Sequence, residues 1–522
     1  MWFRILLLIT GLAAVACGSR ESHTLVFGRG GDSVGLDPAL ETDGESFKVC
    51  DNIYETLVRF RREDTQVEPC LAERWNVSED LLTWTFHLRQ GVSFHDGTQL
   101  DADAVVFSLA RQFQPEHPYH RVEGAFQYWN SMSMSEIVRN VRKLDDYTVA
   151  IDLFRPNAPF LSNLAMNFCA IVSPAAVRKH GPDYPRHPVG TGPFQFVDWI
   201  KDDRIVLERN AAYWGTPPKL KRLVFQSIPE NSVRLIALSQ GSIDGMDNLV
   251  PDFVGSISSN PKLRLLSQPG MNVGYLAMNM DRQPFHLLKV RQAINHAVNK
   301  QSLVDNLYQG LGVPAVNPIP PTMWGYREET EGYAHDPGLA RRLLSEAGYP
   351  NGFKTTLWAM PVPRPYMPQP LKIAQAIQAD LQAVGIEAEI VSFEWGTYLD
   401  KVQRGQHDMA LLGWTGDNGD PDNFLYVLLD KSATQFPANN IAFYRSEPLH
   451  EILVAAQLEV DTDRRAALYR EAQEIVHQDA PWVPLVHSAQ TAAFGRDVQG
   501  FSLHPTGSKW FENVEIQSRP GQ

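Results

Sequence analysis

Residues 371–390 read LKIAQAIQADLQAVGIEAEI. Apolar residues recur in the first part at the spacing of one helical face: Ile373, Ile377, Leu381 and Val384. Gly385 follows, and glycine commonly ends helices because it adopts the left-handed backbone conformation without strain. Hydrophobic and acidic residues then alternate over residues 386–390, as they do in a half-buried strand. This stretch therefore predicts a helix over 371–384 and a strand directly after it, the unit from which α/β folds are built.

The same alternation of strands and helices continues along the rest of the chain. Strands are predicted at residues 24–27, 84–88 and 147–153. Helices are predicted at residues 47–57, 102–111, 233–238 and 290–298, and Asp101 stands where it caps the second of them. Residues 313–321 and 361–370 are rich in proline and predict loops. The pattern as a whole favours an α/β architecture with buried sheets.

Length and charge narrow the class of protein. The chain has 522 residues, too many for one hydrophobic core, so two or three domains are expected. Hydrophobic residues make up 43% of the chain and charged residues 20%, so large cores can be buried. The formal net charge is −13, with 47 basic against 60 acidic residues. This balance argues against nucleic-acid binding, which depends on Lys and Arg neutralising phosphates.

The N-terminus has the pattern of an export signal. Arg4 is followed by an apolar run over residues 5–16, which is too short to cross a bilayer, since a spanning helix takes roughly 20 residues. The run ends in Ala14-Val15-Ala16-Cys17, similar to the lipobox of bacterial lipoproteins but with Ala14 in place of the usual Leu. We expect a signal peptide over 1–16 and lipidation of Cys17. The alternative is an ordinary signal cleaved near Ala16, with Cys17 incidental.

The remaining cysteines are Cys50, Cys70 and Cys169. An odd number in an oxidising compartment allows at most one internal disulfide. A Cys50–Cys70 pair and free buried thiols are both compatible with the sequence. The cysteines and histidines do not have zinc-site spacing, so we expect neither a metal nor a cofactor.

Motifs for catalysis are missing or interrupted. Residues 190–193, Gly-Thr-Gly-Pro, lead into a strand-like segment rather than the Lys-Ser/Thr of a phosphate loop, so a tight turn is expected. Asp417, Asp420 and Asp422 fail as a calcium loop, because Pro421 lies between them and Leu428 takes the place of the bidentate Glu. The sequence assembles no nucleophile, base and oxyanion hole, so we predict no enzymatic activity.

Two loops do suggest a binding site. Residues 360–366 place Arg364 among prolines, which stiffen the backbone around it. Residues 413–422 place Asp417 after a short apolar strand at 409–412, with a Trp and glycines around it. An Arg clamps a carboxylate through two parallel hydrogen bonds, and an Asp accepts from an ammonium group. The pair is suited to a zwitterionic ligand, although two solvated surface loops would have the same composition.

The sequence as a whole resembles family 5 of the extracellular solute-binding proteins, over nearly the whole chain after the signal. The stretches that carry this resemblance are residues 71–80, 85–89, 190–194, 270–276 and 320–326. Residues 358–362 and 413–424 are more specific and resemble the dipeptide-binding branch of the family. The freely diffusing periplasmic members of that branch differ from this chain in lacking a lipid-anchor cysteine.

This resemblance implies a two-lobed periplasmic binding protein fold of type II, in the large peptide-binder class, with three domains. Domain I comprises residues 17–52, 189–270 and 489–522, domain II residues 53–188, and domain III, the second lobe, residues 271–488. It also implies that Arg364 pairs with the carboxylate of a dipeptide and Asp417 with its ammonium group, while Thr42 reaches in from the other lobe. The residues implied to surround these groups are Pro365, Tyr366, Trp414, Thr415 and Gly416.

The function implied by the resemblance is transport. We expect a monomer in the periplasm or cell envelope that captures short peptides, dipeptides above all, and delivers them to the permease and ATPase subunits of an ABC importer. The membrane would be contacted only through the lipid anchor. Family members that bind haem or antimicrobial peptides, and peptide chemosensors, are the alternatives.

Overall fold

The computed structural model describes residues 23–120 and 126–517. The expected signal peptide and Cys17 lie outside these residues. The strands are β1 (Thr24–Arg29), β2 (Val58–Phe60), β3 (Val67–Pro69), β4 (Ala72–Val77), β5 (Thr83–Leu88), β6 (Val138–Asp145), β7 (Thr148–Leu153), β8 (Phe194–Ile200), β9 (Arg204–Arg209), β10 (Arg222–Ser227), β11 (Gly245–Asp247), β12 (Leu263–Pro269), β13 (Asn272–Met278), β14 (Gly312–Pro314), β15 (Phe353–Trp358), β16 (Ile386–Val391), β17 (Met409–Thr415), β18 (Trp482–Gly495), β19 (Val498–Gln499) and β20 (Glu515–Ile516).

Helices alternate with these strands, which confirms the predicted α/β class. They are α1 (Gly44–Ile53), α2 (Ala102–Ala110), α3 (Gln127–Ser131), α4 (Met134–Ile137), α5 (Phe160–Leu164), α6 (Pro174–His180), α7 (Asn231–Gln240), α8 (Val254–Ser259), α9 (Leu288–Ala297), α10 (Lys300–Leu303), α11 (Pro337–Glu346), α12 (Pro370–Ala383), α13 (Trp395–Gln403), α14 (Asp422–Leu429), α15 (Glu447–Leu458) and α16 (Thr462–Asp479).

One large sheet runs through the molecule in the order β16-β15-β17-β13-β18-β11-β1-β10-β9-β8, with β12 and β14 also paired to β18. The long strand β18 connects the two halves of this sheet, because its two ends pair with different strands. Residues 482–488 of β18 pair with β13 and β14, whereas residues 489–495 pair with β11 and β12. A separate antiparallel sheet has the order β4-β5-β7-β6. The domain boundaries expected from the sequence stay a prediction.

The elements with the strongest sequence patterns form as predicted. Helix α12 buries Ile373, Ile377 and Leu381, and β16 follows it after Gly385, which has a φ of +90°. Helix α2 begins after Asp101, whose side chain accepts a hydrogen bond from the backbone N–H of Ala104 at 2.9 Å. Residues 190–193 form the expected turn before β8. A Cβ atom on Gly190 would lie 2.2 Å from the Ile53 carbonyl oxygen, so this close approach requires glycine.

Most predicted segments are shifted by a few residues at their ends, and three of the shifts come from pairing with a distant segment. The helix expected at 47–57 is α1, which ends at Ile53 because Tyr54 is extended and Glu55 forms a β-bridge with Ile171. The expected loop at 413–422 begins later, because β17 continues to Thr415 by pairing with β13. The expected loop at 313–321 begins inside β14, which pairs with β18. In each case pairing with a distant strand or segment overrides the local pattern.

Cys50, Cys70 and Cys169 are free and buried, so free thiols are the correct one of the two alternatives. Among the described residues, no helix is both long enough and apolar enough to span a membrane.

Candidate functional site

A cavity of about 990 Å³ lies between the segment around α1 and the loops that follow β15 and β17. Its lining includes seven of the eight predicted ligand-binding residues, namely Thr42, Arg364, Pro365, Tyr366, Trp414, Thr415 and Asp417. These residues come from three distant parts of the sequence, and the fold brings them to one site. The cavity is therefore the candidate binding site.

Gly416 is the predicted residue that does not line the cavity. Its backbone N–H donates to the Met271 carbonyl oxygen at 2.7 Å, which ties the turn after β17 to the start of β13. A Cβ atom at this position would lie 2.5 Å from Cε2 of Phe424 and would clash with that ring. Gly416 thus allows the chain to turn tightly against the core immediately before Asp417.

Backbone hydrogen bonds close the turn that carries Arg364. The backbone N–H of Arg364 donates to the Met367 carbonyl oxygen at 3.1 Å, and the Met367 N–H donates back at 2.9 Å. The guanidinium carbon lies 4.7 Å from the centre of the Trp395 ring, an attractive cation–π distance. Within residues 23–120 and 126–517, no carboxylate forms an ion pair with this guanidinium. Its charge is therefore available to a ligand anion in the cavity.

Asp417 stands in the turn between β17 and α14. Asn423 organises this turn, because its side-chain oxygen accepts from the Asp417 backbone N–H at 3.0 Å and from Nε1 of Trp414 at 2.9 Å. The Tyr128 hydroxyl donates to Oδ1 of Asp417 at 3.5 Å. The other carboxylate oxygen, Oδ2, is buried without a hydrogen-bond partner among the described residues. Such an oxygen calls for a donor from a ligand or from water.

Burial governs the protonation of Asp417. Loss of solvent raises the pKa of this carboxyl to about 7, and the polar side chains of Asn423 and Tyr128 beside it oppose the rise. Both the charged and the neutral form of the carboxyl are consequently populated near neutral pH. A cation placed beside Oδ2 would favour the charged form.

Among the cavity residues that the sequence did not predict are Tyr128 and Trp395, which contact the two charged groups. Tyr128 packs edge-on against Phe47, with ring centres 5.5 Å apart, and stacks on Phe168 at 6.0 Å. Trp395, at the start of α13, supports Arg364. Each lies in an ordinary apolar context, and no spacing in the sequence links either one to Arg364 or Asp417. Their role follows only from the tertiary contacts.

Thr42 is exposed to the cavity directly before α1. The next residue, Asp43, caps that helix by accepting from the N–H groups of Glu45 and Ser46 at 3.0 and 2.9 Å. The cap fixes the backbone that presents Thr42. In the described part of the chain, no group of three or more His, Cys, Asp or Glu side chains is arranged to hold a metal ion.

Comparison with known proteins identifies the family. The family model for bacterial extracellular solute-binding proteins, family 5, matches residues 66–436. The dipeptide-binding protein of Escherichia coli is 41% identical over 523 residues, covering 97% of this chain and 98% of that protein. Heme-binding protein A of Haemophilus influenzae is 38% identical, covering 96% of this chain and 94% of that protein.

A solved structure extends the comparison to three dimensions. The periplasmic binding protein associated with an ABC transporter of Helicobacter pylori, in complex with the peptide STSA, has a TM-score of 0.87 and 39% sequence identity. The match covers 95% of this chain and 98% of that one, which confirms the periplasmic binding protein fold. The chain therefore belongs to family 5 of the bacterial extracellular solute-binding proteins.

Proposed function

We propose that this protein captures short peptides, dipeptides above all, and delivers them to an ABC importer. The observation that carries the proposal is that Arg364 and Asp417 line one cavity, and neither has a partner of opposite charge among the described residues. A dipeptide supplies both missing charges, a carboxylate for Arg364 and an ammonium group for Asp417. The 41% identity to a dipeptide-binding protein supports the same ligand class.

The two charges act as a measure of ligand length. A peptide whose carboxylate misses Arg364 leaves a desolvated charge unpaired, which costs roughly 2–5 kcal/mol. A micromolar ligand has only about 8 kcal/mol of binding free energy in total, so this penalty decides binding. The volume of about 990 Å³ leaves room for varied side chains with water around them. We therefore expect selectivity for charged ends and tolerance of side chains.

Calorimetry with a panel of ligands tests the proposal. The panel is Ala-Leu, N-acetyl-Ala-Leu, alanyl-leucinamide and the tetrapeptide STSA. We expect Ala-Leu to bind more than tenfold tighter than either blocked derivative, because each lacks one ion pair. Equal binding of Ala-Leu and both blocked derivatives would contradict the proposal. The tetrapeptide reports how strictly length is measured.

Haem is a second candidate because of the similarity to heme-binding protein A. Haem iron is usually held by His, Cys, Met or Tyr side chains. The cavity lining contributed by the described residues includes tyrosines, Cys70 and Met166 but no histidine. We expect weak haem binding without a His-ligated spectrum. A titration that yields the Soret band of His-ligated haem at stoichiometric concentration would favour haem instead.

Replacing Asn423 with alanine is expected to weaken dipeptide binding several-fold and to lower the melting temperature. The change leaves the part-buried N–H groups of Trp414 and Asp417 without this acceptor, at a cost of up to about 1–3 kcal/mol each. Asn295→Ala is the matched control, since Asn295 is equally buried and donates to the carbonyls of Arg291 and Trp482, away from the cavity. It should lower stability alone. Unchanged affinity in Asn423→Ala would show that the turn does not need this residue.

We also propose that the exported protein is anchored by lipid on Cys17. In that case the wild-type protein fractionates with membranes, and its N-terminal peptide has the added mass of acyl chains, which together hold it stably. Cys17→Ser should move the protein to the soluble fraction, whereas Cys169→Ala should not. Wild-type protein found only in the soluble fraction would contradict the anchor.

The proposed domain organisation places the cavity between two lobes. We propose domain I as residues 17–52, 189–270 and 489–522, domain II as 53–188, and domain III as 271–488, in a monomer. The connections between the lobes would then be the passage from β12 to β13 and the middle of β18. These two crossings would form the hinge on which the lobes close around the ligand.

A further inference from the structure

We propose that the hydroxyl groups of Ser488 and Tyr308 are positioning groups that fix the direction of Arg364, an inference that rests on the proposed function. Ser488 does not line the cavity, whereas Tyr308 does, with its hydroxyl engaged by a loop carbonyl. Each hydroxyl holds one carbonyl of the loop that follows Arg364. Together they fix the backbone of the proline-rich loop from which the guanidinium extends.

Ser488 is buried at the middle of β18. Its Oγ lies 2.8 Å from the Pro365 carbonyl oxygen and 3.0 Å from Oδ1 of Asn272. A serine hydroxyl has one proton, so it can donate to only one of the two. Oδ1 of Asn272 already accepts from the Ser488 backbone N–H at 2.9 Å. The Pro365 carbonyl has no other donor within the described ranges, so we assign the Ser488 hydroxyl as the donor to that carbonyl.

Asn272 holds Ser488 in turn. Its side-chain Nδ2 donates to the Ser488 carbonyl oxygen at 3.0 Å, which closes a two-way amide pairing with the Ser488 backbone. Both residues are almost completely buried. The position of Ser488 is therefore set by the pairing of β18 with Asn272 of β13 rather than by the loop that carries Arg364.

Tyr308 holds the next carbonyl of the same loop. Its hydroxyl donates to the Tyr366 carbonyl oxygen at 2.9 Å, and the ring is buried. With the pair of hydrogen bonds between Arg364 and Met367, every residue from 364 to 367 has its backbone held. A long arginine side chain loses much rotational freedom on binding, so a fixed backbone and the Trp395 ring lower that entropic cost.

A positioning role of these hydroxyls has a different effect on binding from a general structural role. A loosened loop weakens only interactions made by Arg364, and those require a ligand carboxylate. A generally destabilised protein would lose affinity for all ligands alike. The ratio of the affinities for Ala-Leu and alanyl-leucinamide therefore reports on Arg364 specifically, because the amide lacks the carboxylate.

The test measures both ligands on Ser488→Ala and Tyr308→Phe. We expect Ala-Leu to bind on the order of tenfold more weakly to each variant, while the amide changes less than about twofold. Ser108→Ala is the control, since Ser108 is a buried serine that does not line the cavity. It donates to the Ala104 carbonyl at 2.8 Å and accepts from the Val172 N–H at 3.0 Å. It should change stability without changing the ratio.

Equal losses for the two ligands in Ser488→Ala and Tyr308→Phe would overturn the inference and leave the hydroxyls with a structural role only. If Ser488→Ala does not fold, Tyr308→Phe, which keeps the ring, gives the same reading alone. A wild-type protein that binds Ala-Leu no better than the amide would instead overturn the proposed function, before any variant is made.

Discussion

Replacing Arg364 with alanine is expected to weaken Ala-Leu binding at least tenfold. The guanidinium lies against the Trp395 ring and has no carboxylate partner among the described residues. Its charge is therefore free to pair with a ligand carboxylate in the cavity. Without it, the ligand carboxylate enters a desolvated site unpaired, at a cost of roughly 2–5 kcal/mol. Arg364→Lys should recover only part of the affinity, because a lysine keeps the charge but not the two parallel hydrogen bonds.

A second arginine provides the control. Arg404 also lies over an aromatic ring, Phe436 at 3.9 Å, but it pairs with Asp400 on the surface, outside the cavity. Arg404→Ala removes a similar cation–π contact and should leave calorimetric affinity unchanged. The assignment of Arg364 is wrong if Arg364→Ala binds Ala-Leu as tightly as the wild-type protein, or if both variants lose affinity equally.

Elements with strong local signals were predictable from sequence. The helix over 371–384 and the strand after it have the correct type, because their apolar periodicity coincides with the buried face. The Asp101 cap was predictable because capping involves only neighbouring residues. Prediction failed where a distant partner decides the conformation. Thr415 extends β17 beyond the strand predicted at 409–412 because it pairs with Asn272, and no local pattern reveals that extension.

The same distinction between local signals and distant contacts applies to the residues of the binding site. Arg364 was identifiable as the single charge in a proline-rich loop, and Asp417 as a carboxylate beside a Trp and glycines after a short strand. The family resemblance gave both residues their roles. Tyr128 and Ser488 were not, since each has an ordinary local sequence and acts through one contact with a residue far along the chain. Sequence patterns therefore located the charged groups, whereas the groups that orient them depend on tertiary packing.

Asp417 should make dipeptide binding depend on pH. Burial raises the pKa of its carboxyl to about 7 in the ligand-free cavity, so below that pH the neutral form prevails. The ligand ammonium pairs with the charged form, and binding must therefore expel a proton at pH 6. Affinity should fall by up to about tenfold per pH unit below 7. Above about pH 8 it should fall again, as the free amine of the dipeptide loses its proton.

Asp417→Asn should abolish the acidic limb of this profile and weaken binding at least tenfold at pH 7.5. The amide keeps the shape of the side chain but offers no charge to the ammonium group, and nothing in it titrates near neutrality. At pH 6, the binding enthalpy of the wild-type protein should vary with the ionisation enthalpy of the buffer, which reports the expelled proton. The enthalpy measured with Asp417→Asn should not vary.

Asp422 makes this test specific to the cavity. Burial, followed by the neighbouring charge of Asp420, raises the pKa of Asp422 to about 7 as well. Its carboxylate accepts from Nε2 of Gln457 at 3.0 Å and does not line the cavity. Asp422→Asn should therefore retain the acidic limb and the buffer-dependent enthalpy that Asp417→Asn loses. The reverse result would place the titrating group outside the site and remove Asp417 as the partner of the ligand ammonium.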